Sequence, residues 1–223
     1  TETDLGVLIT NKLSSTHHQN KLLSKSSQRL GLVRRTCSDL VQSQSKRKTL
    51  FISLVRSLYE HCSEVWRPIS ASSIEKFEKM QKRAVKWVLN ESECSYSNDE
   101  YVTRLMELKI LPMSSKFLYN DLKMFHKILY KLIPMELPPY MRRFDPTTDN
   151  DRPRTRQQIN KDATYEVCDE RPRIDVFKES FFYRTHIEWN SLPPDIRSIS
   201  DRVIFSSELK KYLWKVSSIQ PSA

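Results

Sequence analysis

Apolar residues recur at helical spacing along most of this chain, which predicts a mostly α-helical fold. The periodic segments span 18–41, 49–66, 72–90, 97–108, 114–133, 181–192 and 203–216. Segment 49–66 is apolar over more than half of the helical wheel, so we expect one central helix with neighbours on several sides. Pro68 and Pro193 follow two of these segments and end them.

Three short runs have the composition of strands. LGVLI at 5–9 predicts a short N-terminal strand followed by a turn at Asn11–Lys12, and ATYEV (163–167) and IDVF (174–177) predict a small β element before the C-terminal helices. Segment 134–158 is rich in proline and charge, which predicts a linker. The expected organisation is a strand and turn at 1–16, a helical domain at 17–133, the linker at 134–158, a small C-terminal domain at 159–216 and a tail at 217–223.

The helix predicted at 72–90 has one apolar and one positive face. Ser72 and Glu75 have the spacing of a capping box at its start, and Asn90 is a suitable stop. Its apolar residues fall within an arc of roughly 80°, and its cations fall within roughly 120° nearly opposite. The apolar set is Ile74, Phe77, Ala84 and Val88, and the positive set is Lys76, Lys79, Lys82, Arg83 and Lys86.

Two interpretations of the positive face remain open: a solvated surface and a surface that binds phosphates. Glu75 and Glu78 lie at its margin, so we expect no i,i+4 ion pairs within the face. Charge of one sign raises the local potential that attracts nucleic acid, which favours the second interpretation. Trp87 lies on the border of the two faces and is a candidate for base stacking, whereas the other tryptophans have core spacing.

The overall charge favours an anionic partner. The chain has 223 residues, with 37 Lys and Arg against 27 Asp and Glu and a net charge of +10. Nucleic acid is the first expectation and a membrane surface the second. The two glycines, Gly6 and Gly31, cannot build a glycine-rich phosphate loop, which excludes P-loop and dinucleotide-binding folds. No apolar run approaches the ~20 residues of a membrane span, so we expect no helix that crosses a membrane. Of the two anionic partners, nucleic acid is the one we expect, and not a membrane.

Cysteine and histidine form no recognisable metal pattern. The four cysteines are Cys37, Cys62, Cys94 and Cys168. They are widely spaced without a CxxC pair, so we expect reduced, buried thiols in an intracellular protein, nuclear or cytoplasmic. His17 and His18 point about 100° apart on a helix and cannot jointly ligate a metal well. His61 and Cys62 lie within an apolar helix and are predicted core residues.

The chain has no residue pattern typical of hydrolysis, metal catalysis or phosphoryl transfer. It lacks a G-x-S-x-G elbow, an H-E-x-x-H helix and paired carboxylates at a strand end. We therefore expect no catalytic residue, no metal and no cofactor in this chain. The sequence opens TETDLGVLIT without an initiator Met, and we expect it to be a piece of something longer.

Three stretches carry further motifs. In chain order they are DLGVLITNKLSSTHH…KSSQRLGLVRR, LVRSLYEHCSEVWRP…IEKFEKMQKRAVKWV and SFFYRTHIEWNSLPPDI. Together they resemble the region downstream of the polymerase palm in non-LTR retrotransposon reverse transcriptases of the Jockey and LINE type. In that family an apolar LGV strand is followed by a Leu-Ser turn, a His and a basic helix. The resemblance spans nearly the whole chain, from Asp4 to Lys215.

The second and third stretches carry the more specific matches. The family's Trp-x-Pro and its I-x-K-h-E-x-h-Q-x-R-A helix, where h is apolar, match through Trp66, Pro68, Ile74, Lys76, Glu78, Gln81, Arg83 and Ala84. Its SF-x-x-R-x-x-x-x-W-N-x-L-P signature matches through Ser180, Phe181, Arg184, Trp189, Asn190, Leu192 and Pro193. The chain departs from the family at His61, where an aromatic is common, and at Gln19, where an aliphatic residue is preferred.

The resemblance implies a multi-helix, thumb-like bundle with a binding role. Leu5, Gly6 and Val7 correspond to a primer-grip-like strand. The family's polymerase motif, an aromatic followed by two aspartates, does not occur in this sequence. We therefore expect the chain alone to be inactive, with the Mg²⁺ of the parent polymerase bound elsewhere. The implied partners are RNA or an RNA–DNA duplex and the palm domain of the parent.

In a polymerase thumb, the positive helix face would lie along the template–primer duplex and contact phosphates without reading sequence. The first candidates for these contacts are the five cations of helix 72–90. The second candidates are Lys25, Arg34 and Arg35. The alternative is a degenerate relic of such an element, which acts, if at all, as a helical protein-interaction module.

Overall fold

The protein is mostly helical, as the apolar periodicity predicts. The computed structural model describes residues 2–11, 14–37, 43–91, 97–143, 167–169 and 175–219. The chain divides into two compact units, Thr1–Phe117 with Trp214–Ala223, and Leu118–Leu213. Both divisions fall inside helices, so the expected boundaries at 16–17, 133–134 and 158–159 do not coincide with them.

The first unit begins with an antiparallel hairpin and continues as helices. Its elements are β1 (Glu2–Asp4), β2 (Val7–Ile9), α1 (Thr16–Cys37), α2 (Gln44–Leu50), a π-helix (Phe51–Arg56), α3 (Ser57–Glu60), α4 (Ser63–Trp66), α5 (Ala71–Leu89), α6 (Asn98–Leu108) and the start of α7 (Met113–Leu129). The second unit contains the rest of α7, β3 (Met141–Arg143), β4 (Val167–Asp169), α8 (Asp175–Lys178), α9 (Phe181–Asn190), α10 (Pro194–Arg197) and most of α11 (Arg202–Ile219).

The N-terminal segment is a hairpin, not the single strand expected at 5–9. Leu5 and Gly6 both have positive φ angles, 45° and 88°, and form a two-residue turn between β1 and β2. Two successive positive φ angles match the twist of paired strands, which is why this turn closes a hairpin. The expected strand is therefore correct only for Val7–Ile9, and the turn expected at Asn11–Lys12 lies partly outside the described residues.

Segment 49–66 does not form one continuous helix. The π-helix interrupts it first, and then Cys62 adopts a left-handed conformation with φ 51° between α3 and α4. A π-helix has i→i+5 hydrogen bonds, so it changes which side chains face the core. His61 is exposed, so the prediction that it is a core residue is wrong, whereas Cys62 is half-buried and packs against the core.

Aromatic side chains form the centre of the first unit. The Trp66 ring lies 5.6 Å from Phe77 and 5.7 Å from Phe117, and the Tyr59 ring lies 5.9 Å from Phe77, all measured between ring centroids. All four side chains are buried. Helices α1 and α5 pack beside this cluster, and α1 passes through Gly31 without a break. The core is therefore built where the apolar stripes of several helices meet.

The ends of α5 and α6 show which local signals are used. Ser70, not Ser72, is the N-cap of α5, and its hydroxyl accepts a hydrogen bond from the backbone N–H of Ser73. Asn90 ends α5 in the left-handed conformation, as predicted. The capping box of Ser97 and Glu100 at the start of α6 is present with both of its hydrogen bonds. Several serines before α5 offered alternative caps, which explains the two-residue error.

Helix α7 ends earlier than the expected position at Pro134. Lys131 has a φ of 54°, and the backbone N–H of Leu132 donates to the carbonyl of Lys127 at 2.8 Å. A left-handed residue with this bond across the last turn is a typical helix stop, and here it occurs without glycine. Leu132 lies beyond this stop, and its side chain is exposed although the apolar periodicity extends over it.

The second unit contains a small β element that only partly matches the expectation. Strand β4 pairs antiparallel with β3, which lies inside the predicted linker. Residues 175–177 belong to helix α8, so the strand expected at 174–177 is wrong; residues 144–166 and 170–174 lie outside the described residues. Around this element, Phe125, Trp189 and Phe205 form the core of the unit, with ring centroids 5.7 to 5.8 Å apart.

Candidate nucleic-acid-binding surface

Helix α5 separates a buried apolar face from a charged one. Phe77, Ala84 and Val88 have no exposed surface, in agreement with the helical wheel. On the charged face, Lys76, Lys79 and Arg83 are exposed, whereas Lys82 and Lys86 are half-buried. Because both ends of the helix are capped, these cations project from one straight, anchored element.

Lys79, Lys82 and Arg83 have partners within the protein, and so does Lys86. Lys79 forms an ion pair with Glu75 at 2.9 Å, so the expectation of no pairing within the face is wrong. Lys82 donates to the side-chain oxygen of Asn98 at 3.2 Å and lies over the Tyr101 ring. Arg83 donates to the hydroxyl of Ser27 on α1 at 3.3 Å. An exposed ion pair or hydrogen bond of this kind is weak, so these cations can exchange partners at little cost.

The second carboxylate of α5 does not belong to the charged face. Glu78 accepts hydrogen bonds from the Tyr101 hydroxyl at 2.5 Å and from the backbone N–H of Met113 at 2.8 Å. Gln81 completes this network by donating to the carbonyl of Leu111 at 3.1 Å. Desolvation raises the pKa of the Glu78 carboxyl, an effect that outweighs its two hydrogen bonds. Glu75 is thus the one carboxylate that α5 places among its exposed cations.

The second set of candidates lies on α1. Lys25, Arg34 and Arg35 are all exposed, but they do not share one side of the helix. At about 100° per residue, Arg34 lies on the same flank as Ser27, which contacts α5, and Lys25 lies on the opposite flank. Arg35 lies opposite the buried stripe. The structure therefore divides this set into residues near the α5 face and residues away from it.

The primer-grip-like residues lie in and beside the hairpin turn. Leu5 is 84% exposed at its tip, and Val7 is buried against the core. The backbone oxygen of Leu5 lies 3.2 Å from Nε2 of His61. A side chain on Gly6 would meet that same ring at 3.9 Å, an ordinary contact, so the positive φ angle is what favours glycine there.

The residues that carry the resemblance are mostly buried or bonded to the backbone of neighbouring elements. Trp66 is buried, and its indole N–H donates to the carbonyl of His61 at 2.8 Å; Pro68 beside it is buried as well. In the second unit, Trp189 and Leu192 are buried, and Pro193 is the N-cap residue of α10. The side chain of Asn190 both accepts from and donates to the backbone of Val167, at 3.0 and 2.8 Å.

Tryptophan 87 does not form a stacking platform. Its ring is only 8% exposed, and its backbone carbonyl accepts a hydrogen bond from the buried guanidinium of Arg47 at 3.4 Å. A base can stack only on an accessible ring face, so the prediction that Trp87 stacks on a base is wrong. The border position on the wheel was misleading because α2, which carries Arg47 forty residues earlier in the chain, packs against α5.

Several arginine side chains are buried, and the helical pattern of the sequence did not predict their burial. Arg56 forms an ion pair with Glu60 at 2.5 Å and donates to the carbonyl of Leu111 at 3.3 Å. Lys116 adds a second cation to Glu60 at 3.2 Å. The i,i+4 spacing of Arg56 and Glu60 was a usable signal for their pairing. Nothing in the local sequence distinguishes these buried charges from solvated ones.

The described parts of the chain contain no metal-binding group and no membrane span. No cluster of three or more His, Cys, Asp or Glu side chains there could hold a metal ion. The helices in those parts are all too short or too polar to cross a bilayer.

No protein-family model, no curated protein and no solved structure matches the chain.

Proposed function

We propose that this chain is the thumb and C-terminal part of a retrotransposon RNA-directed DNA polymerase and holds a template–primer duplex, RNA or RNA–DNA, without reading its sequence. The observation that carries the proposal is the charge distribution on α5. Five cations and one carboxylate share its outer face, while Glu78 is turned inward to cap another helix. Cations on a rigid, capped helix suit contacts with phosphates, which position a duplex but carry no base information.

The roles of the cations differ in this proposal. Lys76 is exposed and is the first contact that we assign to a phosphate. Lys79 would exchange Glu75 for a phosphate, and Arg83 would exchange the Ser27 hydroxyl. Arg83 also links the surface to α1, where Arg34 lies on the adjoining flank. Lys86 is half-buried and would reach a phosphate with its ammonium group, whereas Lys82, which is bonded to Asn98, would act mainly through its charge.

The chain is not assigned a catalytic step. In the parent polymerase, by resemblance, Mg²⁺ would be held by a palm domain that carries the paired aspartates. The sequence has no aromatic residue followed by two aspartates. We therefore expect purified protein with Mg²⁺ and deoxynucleotides to extend no primer. The missing palm would be a protein partner of this chain.

The test is the salt dependence of duplex binding. Replacing Lys76, Lys79, Arg83 and Lys86 by glutamine removes charge but keeps good helix formers on the surface. Each lost phosphate contact should reduce the log–log salt slope by about 0.9, so a quadruple variant should lose about three to four units of slope. Fluorescence anisotropy with duplexes of two unrelated sequences, from about 50 to 300 mM salt, measures this change.

A matched control is available on other helices. Lys46, Arg202, Lys210 and Lys211 are exposed, comprise three lysines and one arginine like the test set, and include one residue in a local ion pair, Lys211 with Glu208. Their replacement by glutamine removes the same total charge. Equal slopes in the two quadruple variants would reject the α5 face as a duplex-binding surface.

A protein-interaction module is the second candidate, and one observation favours it. Ile52 and Leu54 on the π-helix and Val65 on α4 are exposed, the last by 66%. Large apolar side chains are common singly on a surface, and each of these three is also a place where a protein partner can bury apolar area. Replacing all three by serine or threonine should leave nucleic-acid binding unchanged if the first proposal is correct.

A further inference from the structure

We infer that helix α1 carries a second surface, a ridge of Lys21, Lys25 and Arg29, which holds a single nucleic-acid strand by its phosphates. This inference rests on the proposed function in one respect, the choice of nucleic acid as the ligand. The ridge itself contains none of the α5 residues. All three side chains are exposed on a helix that runs without interruption from Thr16 to Cys37.

The spacing of the three residues creates a single file of charge. They follow one another at i, i+4 and i+8, and each step advances about 6 Å along the helix and rotates about 40° around it. A flexible single strand can adjust the separation of its successive phosphates to such steps, whereas a duplex fixes it at about 3.4 Å of rise per strand. A ridge one side chain wide therefore suits one strand, whereas the α5 cations cover an arc of roughly 120°.

The positive charge of the ridge has fewer partners within the protein than the positive charge of the α5 face. Helix α1 contains no Asp or Glu along its 22 residues. Within the described residues, the three cations have no ion pair or hydrogen bond, whereas Lys79, Lys82 and Arg83 on α5 each have a partner. The field of the ridge reaches the neighbouring imidazole: burial lowers the pKa of His18, and the charges of Lys21 and Lys25 lower it further.

The orientation of α1 separates the ridge from the α5 face. Arg83 of α5 contacts Ser27, which lies on one flank of α1, and the ridge lies on the opposite flank of the helical wheel. Helix α1 contains no Phe, Trp or Tyr, so no ring is available on it for base stacking. Binding at the ridge should consequently depend on phosphates alone and be independent of sequence.

The experiment uses the full chain with Lys21→Gln, Lys25→Gln and Arg29→Gln combined. The probes are a fluorescent oligo-dT of about 20 nucleotides, which has no stable pairing, and a duplex of similar length. On oligo-dT, the triple variant should lose about two units of log–log salt slope, since each phosphate contact of a single strand contributes about 0.7. Its duplex affinity should match that of the control variant.

The control carries Lys46→Gln, Arg202→Gln and Lys210→Gln, which removes the same charge from exposed helical positions. A charge-conserving variant, Lys21→Arg with Lys25→Arg and Arg29→Lys, should keep oligo-dT binding, and circular dichroism checks that all variants keep their helices. Equal oligo-dT slopes for test and control would overturn the inference, as would equal losses on oligo-dT and duplex. The α5 variant and its own control can also have equal duplex salt slopes while the ridge variant still loses oligo-dT binding. That result would reject the proposed duplex function and support the ridge as a single-strand site.

Discussion

The carboxylate of Glu78 on α5 accepts a hydrogen bond of 2.8 Å from the backbone N–H of Met113, the first residue of α7. Its other oxygen accepts from Tyr101 of α6. One side chain thus joins three helices, and it satisfies a backbone N–H at the start of α7 that has no partner within that helix. The same residue matches the Glu of the helix motif in the retrotransposon resemblance, and here its role is structural.

Replacing Glu78 by alanine should destabilise the protein by about 2–4 kcal/mol, because Tyr101 and the N–H of Met113 both lose their acceptor inside the fold. Chemical denaturation measures the change. Glu75, three residues earlier on the same helix, is the control: its ion pair with Lys79 is exposed and screened by solvent, so its loss should change stability little. Similar losses for the two alanine variants would contradict this role of Glu78.

Replacing Glu75 by glutamine should strengthen duplex binding, because it removes the carboxylate that competes with phosphate for Lys79. We expect a salt slope steeper by up to about one unit, with little change in stability. Replacing Glu208 by glutamine removes the equivalent partner of Lys211 on α11 and should leave binding at most slightly changed. An equal gain from both variants would show that net charge alone, and not the α5 face, controls affinity.

Stability should decrease as the pH falls through the range where histidine ionises. His126 is buried, stacks on Phe205 with ring centroids 4.0 Å apart, and has its Nε2 atom 2.8 Å from the carbonyl of Ile199. Burial lowers the pKa of His126, against opposing effects of the Ile199 carbonyl and Asp201, while Arg143 lowers it further. The unfolded chain then binds the proton more readily, so this contribution is complete above about pH 6.5 and is lost on acidification.

The variant His126→Phe should therefore show a flatter stability–pH profile than the wild-type protein between about pH 8 and pH 5. It loses the contact with Ile199 and should be less stable near neutral pH. Part of the slope should remain, since burial lowers the pKa of His18 in the same direction. Urea denaturation at several pH values compares the two proteins, and parallel profiles would contradict the assignment to His126.

Trp189 should be a buried anchor of the second unit. It has no exposed surface and contacts Phe125 and Phe205. Trp189→Ala should cost about 3–5 kcal/mol of unfolding free energy, whereas the half-buried Phe182→Ala should cost less. Nucleic-acid affinity per folded molecule should stay unchanged. A normal unfolding midpoint combined with reduced affinity would mean that the ring contacts bases instead.

The pairing of Asn190 with Val167 should require both halves of its amide. An aspartate at 190 can accept from the backbone N–H but cannot donate to the carbonyl. Asn190→Asp should therefore cost about 1–3 kcal/mol, and it should weaken the attachment of β4 to α9. Ser191→Ala is the neighbouring control, because that exposed hydroxyl bonds only to its own helix. Hydrogen exchange at Val167 in both variants tests the local effect.

Short-range patterns in the sequence were sufficient for the helical fold and for the two faces of α5. The burial of Phe77 and Val88, the stop at Asn90 and the capping box at Ser97 depend on residues within one or two turns of each other, so local spacing predicts them. The cations of α5 could be placed on one arc for the same reason. Whether they bind phosphates depends on a partner molecule and stays a prediction.

Contacts between distant parts of the chain decided the rest. Helical spacing put Glu78 at the margin of the charged face, but the N–H of Met113, thirty-five residues later, draws it inward. In the same way, Trp87 is buried although its wheel position is at the border, and α2 with Arg47, forty residues earlier, packs against α5. A carboxylate or a ring at the edge of an amphipathic helix has two available environments, and local propensity does not separate them. The choice belongs to the tertiary structure, because only the folded chain supplies the partner that makes one environment lower in free energy.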